Sequence, residues 1–159
     1  MDIEVKKRVL HKIPYGLFIL TSRHESDIGA GSVSWLSQAS FDPPLVILAL
    51  KKDSRLHGCA EKSKVIACCL LGKNQKDMAA AFFGATKLQG EKLNGYAYEL
   101  GKATKCPILL DSPGWFEMQV IDIKKRGDHS VFLCEVVGVG LKREEDQLLL
   151  QDTPWQYGG

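Results

Sequence analysis

A chain of 159 residues that is 45% hydrophobic and 25% charged is the size of one ordinary globular domain and can bury a sizeable core. Its 21 basic and 19 acidic residues leave a net charge of +2, too weak a field to point to nucleic acid or a membrane surface. No apolar stretch approaches the roughly 20 residues of a membrane helix, and MDIEVKKRVLHKIPYG lacks the apolar centre of a signal peptide, so a cytoplasmic protein is expected.

In chain order, Asp2 can cap a short N-terminal helix that carries Val5, Val9 and Leu10 on one face and stops before Pro14. GLFILTSR (16–23) is a compact apolar strand, and HESDIGAG after it is turn chemistry. The segment from Ile28 to Gln38 can pair back as a second strand. LVILALKK (45–52) is a third, fully apolar one that begins after Pro43-Pro44, where prolines cost no ladder bonds.

DSRLHGCAEKS (53–63) opens with two good N-cap residues and reads as a short helix before a fourth strand, KVIACCLL (64–71). NQKDMAAAFFG (74–84) predicts a helix with Asn74 as cap, Met78 and Phe82 at i and i+4, and Gly84 as stop. Residues 85–114 are punctuated by Gly and Lys and lack a period; they predict an excursion with one short helix or strand pair.

WFEMQVIDIKKR (115–126) alternates Phe116, Met118 and Val120 against Trp115, Glu117 and Gln119, as a half-exposed strand does. GDH (127–129) is a tight turn, SVFLCEVVGVGL (130–141) returns as the second arm of a hairpin, and LLL (148–150) can add an edge strand. At least six strands with helices only in the connections favour a closed or nearly closed antiparallel barrel over a βαβ sheet. No repeat and no second domain is visible, so residues 1–159 read as a single domain.

The five cysteines, Cys59, Cys68, Cys69, Cys106 and Cys134, are odd in number and contain no CxxC pair. They match neither a disulfide framework nor a zinc site and read as reduced thiols, a reactive one being the lesser alternative. His11, His24 and His57 show no metal spacing and are expected to face solvent. There is no nucleophile elbow, no GxGxxG and no phosphate-binding P-loop.

SVSWLSQASFDPP (32–44) spends four serines where a core strand would be aliphatic. On a strand, Ser32, Ser34, Leu36, Gln38 and Ser40 share one face, and Val33, Trp35, Ser37, Ala39 and Phe41 the other, so neither face is purely core. Such residues either mark a loop before a strand or let a ligand approach the backbone and its N–H donors. One strand further on, Ser54 and Arg55 fall in the first turn of a helix, which is either a plain capped helix with a solvated Arg or an anion site.

The order of S-x-x-S-x-x-S-F-D-P-P, D-S-R, A-x-F-F-G and G-D-H, from Tyr15 to Tyr157, resembles the flavin reductase-like family of FMN-binding split-barrel flavoproteins. It resembles in particular the flavin-reductase domains of flavodiiron proteins and high-molecular-weight rubredoxins. The resemblance implies a mainly β, six-stranded or larger antiparallel Greek-key split barrel with short peripheral helices. It implies that Ser34, Trp35, Leu36 and Ser37 lie along the isoalloxazine and ribityl chain of FMN, with Gln38, Ala39 and Ser40 continuing that wall. Lys51, Ser54 and Arg55 would hold the phosphate.

Phe82 or Phe83 would pack near the flavin or a partner subunit, unless both are plain core aromatics at helical spacing. His129 would sit where a reduced nicotinamide docks, unless it is a turn histidine bonded to Asp128 or the backbone. The implied activity is NAD(P)H-dependent reduction of FMN, in preference to FAD, which passes electrons to oxygen, ferric iron, free flavin or a protein. A non-enzymatic FMN carrier fed by a partner protein is the alternative, and a flavin-free split barrel the plainest one. The resemblance also implies a homodimer with flavin at its interface and Trp155 and Tyr157 as interface anchors. With no CxxC pair or diiron ligand set in the chain, a protein acceptor would be a separate molecule.

Overall fold

A computed structural model describes residues 1–158. The helices are α1 (Ile3–Leu10), α2 (Arg55–Ser63) and α3 (Lys76–Ala81). The strands are β1 (Phe18–His24), β2 (Asp27–Val33), β3 (Leu36–Ser40), β4 (Leu45–Lys51), β5 (Val65–Leu70), β6 (Leu88–Gln89), β7 (Lys92–Leu93), β8 (Tyr96–Leu100), β9 (Pro107–Leu109), β10 (Gly114–Lys124) and β11 (His129–Leu141).

Seven strands form one antiparallel sheet in the order β2-β1-β5-β10-β11-β4-β3. Its two edges, β2 and β3, follow one another in the chain with only Ser34 and Trp35 between them. The sheet must therefore curl until its edges nearly meet, and Ala49 N, on β4, reaches back to Trp35 O at 3.0 Å. The result is a split barrel with the serine-rich segment at its seam.

The inner face of the sheet is filled, and the outer face is covered over β1, β2 and β5 but exposed at Ile47, Val131, Val137 and Val139. Leu20, Leu48, Leu50, Ile66, Cys68, Met118, Phe132 and Cys134 fill the barrel, joined by Leu56 and Ala60 of α2. On the other face, Ile19, Ala67, Cys69, Met78, Phe82, Leu93 and Ile108 form a second cluster under α3 and the small sheet. That β6-β7-β8-β9 sheet occupies the segment where one helix or strand pair was expected. Its strands are too short to carry a readable period.

Several local expectations shift. The single strand from Ile28 to Gln38 is two strands broken at Ser34-Trp35. IGAG belongs to β2 rather than to a turn, and the reversal sits at Glu25, which takes a left-handed φ of 56°. The helix expected over 74–84 covers only Lys76–Ala81, and its N-cap Gln75 makes no side-chain cap bond. The LLL segment forms an isolated bridge between Gly16 and Leu149 and a 3-10 turn at Leu150–Asp152 rather than a strand. Glu117, expected on an exposed face, is buried because Thr104 N, Thr104 Oγ1 and Ala103 N donate to its carboxylate at 2.8, 2.7 and 3.3 Å.

The N-terminal helix forms as read, with Val5 N donating to Asp2 Oδ1 at 3.0 Å. Its apolar face is nevertheless uncovered, and α1 has no buried residue. No helix among the described residues is long and apolar enough to cross a membrane.

Candidate functional site

A cavity of about 760 Å³ lies beside the barrel seam. Its walls are residues 30–35, residues 49–51 and 54–56, residues 82–86, and Leu150 with residues 155–157. The β2 wall is built from small residues for two reasons. A Cβ on Gly29 would meet Leu56 Cα at 2.6 Å, so the start of α2 can rest on β2 only because that side chain is absent. A Cβ on Gly31 would find nothing nearer than Leu56 Cδ2 at 3.7 Å, so Gly31 and its neighbours leave open space.

The free edge of β2 is pinned rather than loose. Ala30 N donates to Thr86 Oγ1 at 3.0 Å and the same hydroxyl bonds Ala30 O at 3.2 Å. Ser32 N donates to Phe82 O at 3.1 Å and Ser32 Oγ to Ala79 O at 2.6 Å. The α3 end and the loop after it thus substitute for a missing strand partner.

One end of the cavity is cationic. Lys51 and Arg55 both line it, Lys51 Nζ lying 3.2 Å from Asp53 Oδ2 and Arg55 Nε donating to Asp27 Oδ1 at 2.7 Å with Nη2 on the same oxygen. The hydrogen bond from Arg55 holds the Asp27 carboxyl below the usual carboxylate range. Ser54 is the N-cap of α2: its Oγ accepts from His57 N at 3.1 Å and donates to Lys51 O at 2.8 Å. That hydroxyl is spent on the cap, so Ser54 aims the helix start at the cavity rather than offering a free donor.

At the seam, Ser34 Oγ and Trp35 Nε1 are buried and form no hydrogen bond. Both residues line the cavity, and orphaned buried polar atoms are costly unless a ligand or water satisfies them. The Trp35 ring packs, tilted, against His129 at 4.7 Å and Tyr157 at 5.2 Å between centroids. His129 is held by Asp128 Oδ1 on Nδ1 at 2.9 Å and by the Tyr157 hydroxyl on Nε2 at 2.7 Å. It packs against Trp35, makes the turn bond to Asp128, and is absent from the cavity wall.

Of the residues singled out in the sequence, Ser34, Trp35, Lys51, Ser54, Arg55, Phe82 and Phe83 are brought together around the cavity. Leu36, Ser37, Gln38, Ala39 and Ser40 are not: they form β3, where Ser37, Gln38 and Ala39 are exposed. Ser37 stands opposite the exposed Ile47 on the outside of the barrel, because the break at Ser34-Trp35 turns the chain away from the cavity. Phe82 is a core residue 6.2 Å from Tyr96 and reaches the site chiefly through its carbonyl, whereas Phe83 is exposed and packs edge-on against Trp155 at 4.6 Å.

Sequence reading missed Gly31, Thr86 and Gln156, whereas Ser32 stands in the serine-rich stretch it singled out; Trp155 and Tyr157 were read there as interface anchors. These two line the cavity of their own chain. His57 is also a correction: it is buried, with Nε2 2.9 Å from Ser130 Oγ, because α2 lies across the barrel end and turns it inward. All five cysteines are free and buried. Burial pushes Cys59 up to about 11 and Cys69 and Cys134 up to about 12, which removes the reactive-thiolate alternative. No group of three or more potential metal ligands occurs among the described residues.

The family model described as "Flavin reductase like domain" matches residues 10–157. An uncharacterized protein of Aeropyrum pernix is 28% identical over 87% of this chain, which spans only 53% of that relative. The NADH-dependent flavin reductase StyB of Pseudomonas fluorescens is 27% identical, with 79% of this chain and 71% of the relative covered. Among solved structures, an NADH:FAD oxidoreductase of Streptomyces globisporus in complex with NAD and FAD fragments superposes with a TM-score of 0.81. It covers 96% of this chain and 90% of its own at 20% identity, a likeness of fold.

Proposed function

This chain belongs to the flavin reductase-like domain family, and from that premise we propose that it is an NAD(P)H-dependent flavin reductase using FMN, with the seam cavity as its flavin site. The observation that carries the reading is the cavity itself: a cationic end at Lys51 and Arg55, and an unpartnered buried hydroxyl, Ser34 Oγ. That wall fits a planar heteroaromatic group bearing hydrogen-bond acceptors and a phosphate tail.

The bound flavin would supply the hydride-accepting and electron-passing chemistry. The chain's own residues bind and orient it. Lys51 and Arg55 exchange their carboxylate partners for phosphate, and since both pairs are about half exposed the exchange costs little. Small side chains at Gly31 and Ser32 keep the wall thin, and Ser34 gains the partner it lacks. Phe83 and Trp155 supply an apolar wall that keeps water from the opposite side. No side-chain general acid is required for a hydride to pass between two stacked rings.

The same reading includes a homodimer and a small-molecule or protein electron acceptor. Dimerisation is supported by exposed apolar side chains on the outside of the barrel, including Ile47, Val131, Val137 and Val139, with Phe41 beside them at 91% exposure. Ser37 and Ala39 would then sit at the partner surface, with flavin close to it. A cytoplasmic setting is supported by five free buried thiols.

The test is the visible spectrum of FMN-loaded protein, followed anaerobically after adding NADH or NADPH. Bleaching of the flavin band is expected. A stable band would favour the carrier, and protein that gains no visible absorption with added FMN or FAD would remove the flavin site altogether.

A further inference from the structure

Residues 154–158 cross the mouth of the site as a strap. None of their backbone groups takes part in a backbone–backbone hydrogen bond among the described residues. The strap is held by its side chains and two histidines: Trp155 packs on Phe83 at 4.6 Å, Tyr157 OH bonds His129 Nε2 at 2.7 Å, and His11 Nε2 donates to Gly158 O at 2.7 Å. Trp155 N also donates to Thr153 Oγ1 at 3.2 Å, and a segment with no backbone ladder opens more cheaply than one laced into a sheet.

Space lies on both sides of it. The 760 Å³ cavity is on one face, and a smaller one of about 270 Å³, walled by His11, Pro14 and Gln151, is on the other; residues 155–157 line both. The strap also covers a group that gains nothing from being covered. A Cβ on Gly158 would stand 3.1 Å from Trp35 Cζ2 and 3.6 Å from Trp35 Nε1, and that indole N–H has no partner. The closed position thus leaves one donor unsatisfied and occupies the outer nitrogen of His129.

We propose that residues 154–158 are a displaceable strap that competes with the nicotinamide of the electron donor for His129 and Trp35. Lifting the strap away frees His129 Nε2 and Trp35 Nε1 together, on rings 4.7 Å apart. One hydrogen-bonding edge and one N–H donor beside a flat indole suit a planar ring carrying a carboxamide. Tyr157 holds that place in the resting protein, and the donor replaces its hydroxyl. The proposal rests on the flavin reductase reading.

The test uses the full-length, flavin-loaded protein, Tyr157→Phe and His11→Ala, titrated calorimetrically with NAD⁺ or NADP⁺, whichever is the oxidised form of the donor that the wild type consumes. His11 touches neither the flavin cavity nor Trp35, yet each variant removes one hydrogen bond of the closed strap. The expected result is tighter nucleotide binding in both, by about 2- to 10-fold, with KM for the reduced donor falling by the same factor and, in His11→Ala, whose site lies outside the flavin cavity, flavin affinity unchanged. Wild-type or weaker nucleotide affinity in both variants would overturn the strap while leaving the reductase reading intact. A wild type that oxidises neither NADH nor NADPH would overturn the reductase reading itself.

Discussion

Gly29→Ala puts a methyl group where the structure has least room for one. The added Cβ would lie 2.6 Å from Leu56 Cα, 2.7 Å from Leu56 N and 2.8 Å from Arg55 C, all backbone atoms of the first turn of α2, which no rotamer change can move. Ordinary contact needs roughly 1 Å more, and α2 cannot simply slide, because Leu56, Cys59 and Ala60 are 4%, 2% and 0% exposed in the core. Overpacking of this kind costs about 1–3 kcal/mol, a fall in Tm of about 3–9 °C for a domain of this size. The displaced turn carries Ser54 and Arg55, so flavin affinity should fall with it. Gly31→Ala is the matched control: its Cβ meets nothing nearer than 3.7 Å, and neither glycine has a positive φ. Its stability should hold or rise by about 0.4–1 kcal/mol through the unfolded chain. Urea unfolding of both variants is the assay, and equal stabilities would refute the claim that α2 is seated on Gly29.

Arg55→Ala should weaken FMN binding by about 1.5–3 kcal/mol through loss of a charge-assisted phosphate contact, while unfolding free energy moves by less than about 1 kcal/mol because its pair with Asp27 is half exposed; fluorescence titration and urea melts separate the two, and a reversed pattern would make Arg55 structural. Ser34→Ala deletes a hydroxyl that has no partner, so the flavin-free protein should keep or gain stability while flavin affinity drops about 2- to 10-fold; a protein destabilised without flavin would show that the hydroxyl is satisfied by something other than the ligand. Burial lowers the pKa of His57 from its usual 6.5, the nearby Glu61 only partly opposing it. The unfolded chain therefore binds a proton that the folded one resists: stability is complete above pH 6.5 and is lost as pH falls through that value toward the lowered folded pKa. Unfolding free energies from pH 8 to 5 should decline in the wild type and flatten in His57→Gln, and parallel curves would assign the slope to other groups.

The apolar strands were legible because burial demands an aliphatic run, on both faces in VIACCL and on one face in LVILAL, whose Ile47 is exposed, and because the long β10–β11 hairpin announces itself by GDH between two alternating segments. The site was legible only in its charged and hydroxylated part. Ser34, Lys51 and Arg55 stand out against a core strand, whereas Gly29 and Gly31 act through the absence of a side chain, and IGAG reads equally well as a turn until the helix that needs the space is placed on it. A period-two pattern also assumes that a strand keeps its plane. The break at Ser34-Trp35 changes the frame, so residues that alternate smoothly in sequence are divided between the cavity and the outer surface, with Ser34 on one side and Ser37 on the other.

The aromatic tail is hard to place from sequence for a related reason. Trp155 and Tyr157 have the composition of an interface anchor, and an unpaired segment rich in aromatics must cover some apolar surface. Which surface it covers depends on the return of the chain after residue 149, where two isolated bridges, at Gly72 and Gly16, carry it back across the sheet. Those bridges involve single residues and leave no periodic signal. Once they direct the chain there, Phe83, Trp35 and His129 are the aromatic partners within reach, and the tail becomes a wall of its own chain's cavity. Its attachment through side chains rather than a backbone ladder then follows from the lack of any strand pattern in DTPWQYG, the property that makes displacement by a planar ligand energetically accessible.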